Sequence, residues 1–166
     1  MKTNKVKGFT LVELIVVIAI IGVLAAILVP SMLGYVKKSK VAAANSNAKS
    51  LFNACATAVT EVDTAGGTLP DNATTWQDCK GGDATHTGTN KVFRDYVKQY
   101  FDGVDNLDEA KAIIDKGAVT ATYVKDGSYY GSNPHSTTVD NATTAPSVAY
   151  CKTGAGNSQQ NNQQGG

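Results

Sequence analysis

The side chain most out of place in this chain is Glu13. It is the single acid in Phe9–Val29, FTLVELIVVIAIIGVLAAILV, an apolar run of 21 residues. A carboxylate in such a setting is costly unless a cation meets it, so an acid there marks a task more often than an accident. The chemistry open to it is electrostatic pairing, with its place near a helix N-terminus as the plainer explanation. The other reactive side chains are scattered. Cys55, Cys79 and Cys151 are an odd set without zinc-site spacing. Cys55 falls on an apolar helical stripe, as a buried core residue would. Asp102, Asp105, Asp108 and Glu109 cluster, but not at the spacing of an EF-hand loop, and helix capping accounts for most of them. His86 stands alone and reads as a surface residue. No nucleophile, base and orienting group are recognisable together, and neither a phosphate-binding loop nor a metal cluster is present. The chain is therefore expected not to be an enzyme, with no cofactor.

The element that carries Glu13 is long enough to cross a bilayer, since about 20 helical residues span the hydrocarbon core. Lys2, Lys5 and Lys7 precede it, followed by Gly8. A cleavable secretory signal would have a shorter apolar run and a small-residue exit, which this segment lacks. A plain membrane anchor explains the length and the lysines but leaves Glu13 without a purpose.

The order Lys7-Gly8-Phe9-Thr10-Leu11-Val12-Glu13, leading into an apolar helix up to Pro30, resembles the processing signature of type IV pilins and the related pseudopilins. The resemblance covers about the first 60 residues; beyond them it is one of layout. It implies that a prepilin peptidase cuts between Gly8 and Phe9 and methylates the new amine of Phe9. Gly8 has no side chain to obstruct that approach. It implies that the Glu13 carboxylate meets the Phe9 amine of a neighbouring subunit and so sets axial register. It also implies that Gly22 and Pro30 bound a segment of the helix that loosens in the filament. The leader lysines favour an N-terminus in the cytoplasm, although Lys37, Lys38 and Lys40 on the far side weaken that asymmetry.

Composition agrees with a subunit rather than a nucleic-acid binder. Without the leader's three lysines, 12 basic side chains face 14 acidic ones, and no nucleic-acid partner is expected. Past Pro30, where a kink is expected, Ala44, Ala48, Leu51, Cys55, Ala58 and Val62 recur at spacings of three and four, an apolar stripe. Residues 63–90 read as a long loop with Trp76 as its anchor. Val92, Phe93, Tyr96, Val97, Tyr100 and Phe101 predict a short helix, and residues 105–117 a second one, capped by Asp105 and Gly117. Ala118–Val124 predicts a strand with Val119, Ala121 and Tyr123 on one face, turning at Asp126-Gly127 into a strand over Ser128–Ser132. A third strand is expected over Ser147–Lys152. An external domain permits one disulfide; the spacing does not give its connectivity, and Cys79–Cys151 is the preferred pair. Asn72-Ala-Thr and Asn141-Ala-Thr match the glycosylation triplet.

The expected fold is α+β: a long N-terminal helix, membrane-spanning then amphipathic, packed on a small antiparallel sheet, the pilin fold. Its parts are a leader (1–8), a membrane and filament-core helix (9–30), an amphipathic half (31–63), an external domain (64–152) and a disordered tail (153–166). The expected function is a structural subunit of a type IV pilus, for adhesion or motility, with other copies, a prepilin peptidase and an assembly platform as partners. It starts as a single-pass protein of the cytoplasmic membrane and ends on the cell surface. The alternatives are a pseudopilin of a type II secretion or DNA-uptake system and a tethered binding module.

Overall fold

The computed structural model describes residues 8–70, 72–81 and 89–155. The leader lysines, His86 and the tail beyond 155 lie outside the described residues. The chain divides into two compact units, Met1–Lys37 and Lys38–Gly166. Helix α1, Leu11–Thr64, supplies the described part of the first beyond Thr10 and the opening element of the second. Pro30 lies inside α1 without terminating it, and the Ser31 hydroxyl donates to the Leu28 carbonyl at 2.8 Å.

In the second unit α1 ends at a glycine pair. Gly66 takes a positive φ of 68°, and the Gly67 amide donates to Val62 O at 2.8 Å, which satisfies carbonyls at the helix end. The apolar stripe read from the sequence is buried throughout, from Ala44 to Val62. It packs with Phe93 and Val97 of α2 (Thr89–Tyr100) against one face of the sheet.

That sheet has four antiparallel strands in the order β1-β2-β3-β4: Asn72–Asp78, Glu109–Asp115, Ala118–Asp126 and Tyr129–Asn133. β1 falls in the stretch expected to be a loop, and Trp76 does anchor it, set edge-on to Tyr123 at 4.6 Å. The helix expected over 105–117 is instead a short 3-10 turn, Asp102–Asn106, followed by β2. β2 is covered on both sides. Ala110, Ala112 and Ile114 face α1, while Ile113 joins Ala121, Tyr150 and Cys151 on the opposite face. A strand buried on both faces loses the alternation that would identify it, and a short apolar run then reads equally as helix.

Asp115 pairs with Ala118 across Lys116-Gly117, both at positive φ (52° and 74°), as a type I′ hairpin requires. Gly117 therefore makes a hairpin and does not cap a helix. β3 starts where expected, but its register shifts between Ile113 and Ile114, so Thr120 is an extra residue. Val119 accordingly packs on the α1 side, whereas Ala121 lies on the other face. The second turn is centred on Gly127-Ser128, one residue later than expected, with Asp126 paired to Tyr129.

The third strand expected over 147–152 is a helix, α3, Val148–Thr153. The Ser147 hydroxyl accepts from the Tyr150 amide at 3.1 Å, and Gly154 closes the helix at a φ of 74°. α3 covers the face of Ile113 and Ala121 with Tyr150 and Cys151.

Close approach of β4 to α1 depends on one residue. A Cβ on Gly131 would lie 2.1 Å from the carbonyl carbon and oxygen of Ala44 and 2.4 Å from the Asn45 amide nitrogen. Beside it, Asn45 ties helix to sheet. Its Oδ1 accepts from the amides of Ser132 (3.0 Å) and Thr137 (2.9 Å), and its Nδ2 donates to Thr137 O at 2.8 Å. One turn on, the buried Thr122 hydroxyl donates to Ala48 O at 2.9 Å.

Candidate functional site

The candidate site is the N-terminal part of α1 with the residues that lead into it. Its large apolar side chains are exposed from Phe9 (79 %) through Ile18 (58 %) and Ile27 (70 %) to Val36 (44 %). A contiguous apolar surface of that length is far beyond what a soluble monomer leaves bare, so it is covered by lipid or by protein. The helix is one that length and composition allow to cross a membrane. Gly8 is exposed, and among the described residues no atom beyond the chain neighbours and the helix's own nearby backbone comes within 4 Å of a Cβ placed on Gly8, Gly22 or Gly34. Space beside Gly8 is what an endoprotease would need.

The start of the helix is a capping box. Thr10 accepts a hydrogen bond from the Glu13 amide at 3.3 Å, while Glu13 Oε2 accepts from the Thr10 amide (2.9 Å) and the Thr10 hydroxyl (2.6 Å). The pattern Thr-x-x-Glu preceding an apolar run is the sequence signal for this motif, and the sequence reading passed over it. Glu13 therefore has an intrachain use before any neighbour is present. The carboxylate retains an unengaged oxygen among the hydrogen bonds described, with lone pairs for a further donor.

Of the four clustered acids that could suggest a calcium site, Asp105, Asp108 and Glu109 each have partners within the chain. Asp105 Oδ2 is 2.5 Å from Lys98 Nζ, and its Oδ1 accepts from the Gly81 amide at 3.1 Å. Asp108 Oδ2 accepts from the Gly127 amide at 2.8 Å. Glu109 accepts from the hydroxyls of Tyr123 (2.8 Å) and Tyr130 (3.3 Å). Asp102 sits in the 3-10 turn. Among the described residues no group of three His, Cys, Asp or Glu side chains is placed to hold a metal. Partial burial raises the Glu109 pKa, but the Tyr123 hydroxyl and the Lys111 ammonium outweigh it and leave the carboxyl below its ordinary value. Asn72 Oδ1 accepts from the amides of Thr74 and Thr75, and Asn141 Nδ2 donates to the Tyr150 hydroxyl.

The cysteines are not brought together as expected. Cys79 lies with Cys55, Sγ to Sγ 3.6 Å, in the core beneath α1, and Cys151 belongs to the separate cluster under α3. The reason is the strand that the sequence reading took for loop: β1 pairs antiparallel to β2, and the Cys79 amide donates to Ala110 O at 2.8 Å. This directs Cys79 to the helix face of the sheet. All three are buried thiols in this structure. Burial pushes the Cys55 thiol well above its ordinary range and that of Cys151 up to about 11.

Residues 3–29 match the family model described as the prokaryotic N-terminal methylation motif. The chain is 48 % identical over 48 residues to the type IV major pilin protein PilA of Myxococcus xanthus, covering 29 % of this chain and 22 % of that protein. It is 43 % identical over 60 residues to the type IV major fimbrial protein FimA of Dichelobacter nodosus, covering 36 % and 38 %. It is also 48 % identical over 52 residues to the type II secretion system core protein G of Escherichia coli, covering 31 % and 36 %. The similarity thus spans between about a fifth and two fifths of these relatives' own lengths. No solved structure matches the chain.

Proposed function

We propose that this chain, which belongs to the type IV pilin family through its N-terminal segment, is a structural subunit of a type IV pilus. The observation that carries the reading is the bare apolar face that runs from Phe9 along α1 to Val36, opening with the Thr10–Glu13 box two residues after Gly8. Such a face needs a cover, first the bilayer and then other copies of the same helix. In this reading the leader ends at Gly8, a prepilin peptidase cuts there and methylates Phe9, and the assembly platform lifts the processed chain out of the membrane. The chain is the substrate of an enzyme and performs no reaction itself. The unit beginning at Lys38 lies outside the cytoplasm throughout.

Glu13 fits the assembly step for a physical reason. Apolar contact is non-directional and fixes axial offset poorly. A carboxylate that must find the Phe9 amine of a neighbour penalises every other offset, because a mismatched subunit leaves a charge unpaired in an apolar bundle. The test is to shear filaments from cells, image them, and read the subunit's N-terminus by mass spectrometry. Filaments built of this chain starting at N-methylated Phe9 are expected. Cells that lack surface filaments, with the chain uncut, would remove the reading.

The similarity to a type II secretion core protein favours a second reading, a pseudopilin. The same helix and the same processing serve both. Deleting the gene separates them: loss of surface filaments supports the pilus, while loss of protein export with no filaments in the wild type supports the pseudopilin.

A further inference from the structure

We infer that Cys55 and Cys79 form a disulfide that locks the end of β1 to α1, leaving Cys151 as the free thiol. The inference rests on the proposed function for one point, that the second unit lies in an oxidising compartment outside the cytoplasm.

Geometry selects the pair. The two sulfurs face each other at 3.6 Å across the core, both fully buried, and a disulfide requires a separation of about 2.0 Å, within reach of small side-chain rotations. Cys151 sits among Ile113, Ala121 and Tyr150 on the opposite face of the sheet. Joining Cys79 to it would require a bond through the plane of β2 and β3. Two thiols in van der Waals contact also gain little from remaining reduced. Both cysteines belong to the apolar core that includes Leu51, Ala54, Ala58, Val97 and Val104, and besides Cys55 the Cys79 thiol reaches only the Gln77 carbonyl, at 3.7 Å, among the hydrogen bonds described.

The same burial fixes when the bond forms. Only a thiolate attacks a disulfide, and a buried, apolar setting suppresses the thiolate and bars any reagent. Oxidation therefore precedes the packing of β1 onto the helix. An external disulfide donor, a thiol oxidoreductase or a small disulfide, is attacked by one cysteine to give a mixed disulfide. The second cysteine then displaces the donor. Cys55 and Cys79 lose two hydrogens, and the donor's two sulfurs leave as two thiols. Once folded, the bond is shielded from reductants.

The bridge has a structural use. β1 is an edge strand whose ladder with β2 is interrupted between Asn72 and Gln77. The segment from Thr64 to Asn72 that brings it back from the helix carries Gly66, Gly67 and Pro70. A covalent link at Cys79 holds the well-paired end of β1 against α1 whatever the remainder does.

The experiment uses full-length protein from cells, its thiols trapped with an alkylating reagent at harvest, digested without reduction and mapped. The expected result is one peptide pair joined through Cys55 and Cys79, lighter by two hydrogens than the separate peptides, with Cys151 alkylated once the protein is denatured. Free Cys55 and Cys79, or a bond that uses Cys151, overturns the inference. Protease accessibility of the second unit on spheroplasts is measured in parallel. If that unit is accessible and the pair is free, the pairing is wrong. If it is protected, the external reading is wrong, and refolding the reduced full-length chain in detergent with a glutathione redox buffer decides the pairing: Cys55–Cys79 as the dominant product supports it, and any other dominant product overturns it. Cys151→Ser is expected to leave the mapped bond unchanged.

Discussion

Replacing Gly131 by alanine tests the packing that joins sheet to helix. The added Cβ would lie 2.1 Å from the Ala44 carbonyl, where ordinary contact begins at 3.4 Å, so the strand or the helix must yield by about 1.3 Å. Overpacking of this kind costs about 1–3 kcal/mol. The displacement also falls on Asn45, next to the clash. Its bond from the Ser132 amide is 3.0 Å long, and a shift of that size carries it beyond hydrogen-bonding range. Losing one or two such bonds adds about 1 kcal/mol each. The sum is about 2–5 kcal/mol, a large part of the 5–15 kcal/mol that stabilises an ordinary domain. For a unit of about 130 residues this lowers the melting temperature by roughly 6–15 °C. Trp76, the chain's single tryptophan, packs on Tyr123 and reports unfolding by its fluorescence in a denaturant titration. Gly127→Ala is the contrast. Among the described residues no atom beyond its chain neighbours lies within 4 Å of its Cβ position, and only the positive φ of 60° is strained, at a cost of about 1–2 kcal/mol. A Gly131→Ala midpoint equal to wild type, or one milder than that of Gly127→Ala, would refute the reasoning.

Gly8→Val is expected to leave a full-length precursor in the membrane and no filaments; normal trimming to Phe9 in that variant, read by mass spectrometry, would count against the cleavage site. Glu13→Gln and Thr10→Ala divide the two uses of the carboxylate: glutamine preserves the capping box but not the charge, so it should be processed normally and yield almost no sheared filaments, whereas Thr10→Ala should assemble with at most a modest loss. The reverse ranking of filament yields would mean that Glu13 caps the helix and does not set register. Glu109 has a folded pKa below the unfolded value of 4.5, so its contribution to stability is present above that value and is lost as the pH falls through and below it. Glu109→Gln should therefore flatten the acid limb of a stability-against-pH curve below about 4.5 and leave its neutral part displaced by a constant amount; an unchanged acid limb would show that the tyrosine and lysine contacts do not hold the charge.

What could be read in the sequence was what repeats on one face. The stripe from Ala44 to Val62 is buried on one side only, so its spacing of three and four survives in the residue order. α2 is legible for the same reason, through Phe93 and Val97. β2 was not, because α1 and α3 cover opposite faces and its run of Ala112, Ile113 and Ile114 carries no alternation. The acids near it read as helix caps, whereas the fold uses Asp108 to bind the Gly127 amide and Glu109 to gather Tyr123 and Tyr130. Val119 was assigned to the wrong face because a bulge at Thr120 leaves no trace in an alternating pattern. For α3 the signals were present, with Ser147 before it and Gly154 after it, but its Val-Ala-Tyr-Cys start reads as strand. At the candidate site, the position of Glu13 was legible from its isolation. Its bond to Thr10 was equally available and was overlooked in favour of an intermolecular partner.

The two outer strands of the sheet have a consequence for crowding. A subunit stacked against many identical copies meets its neighbours at an enormous local concentration, and any bare strand edge is then a template for runaway pairing. In this sheet the β4 edge is closed and the β1 edge is irregular. The outer side of β4 is occupied by its own chain, with the Tyr130 amide donating to Ala142 O at 2.6 Å and the Thr137 hydroxyl to Tyr130 O at 2.5 Å. β1 presents a ladder broken between Asn72 and Gln77, with the Asn72 side chain turned back on the amides of Thr74 and Thr75. Under the proposed pilus reading, copies of this domain would lie side by side with little tendency to zip together, and the choice of partner and offset would fall to the helices.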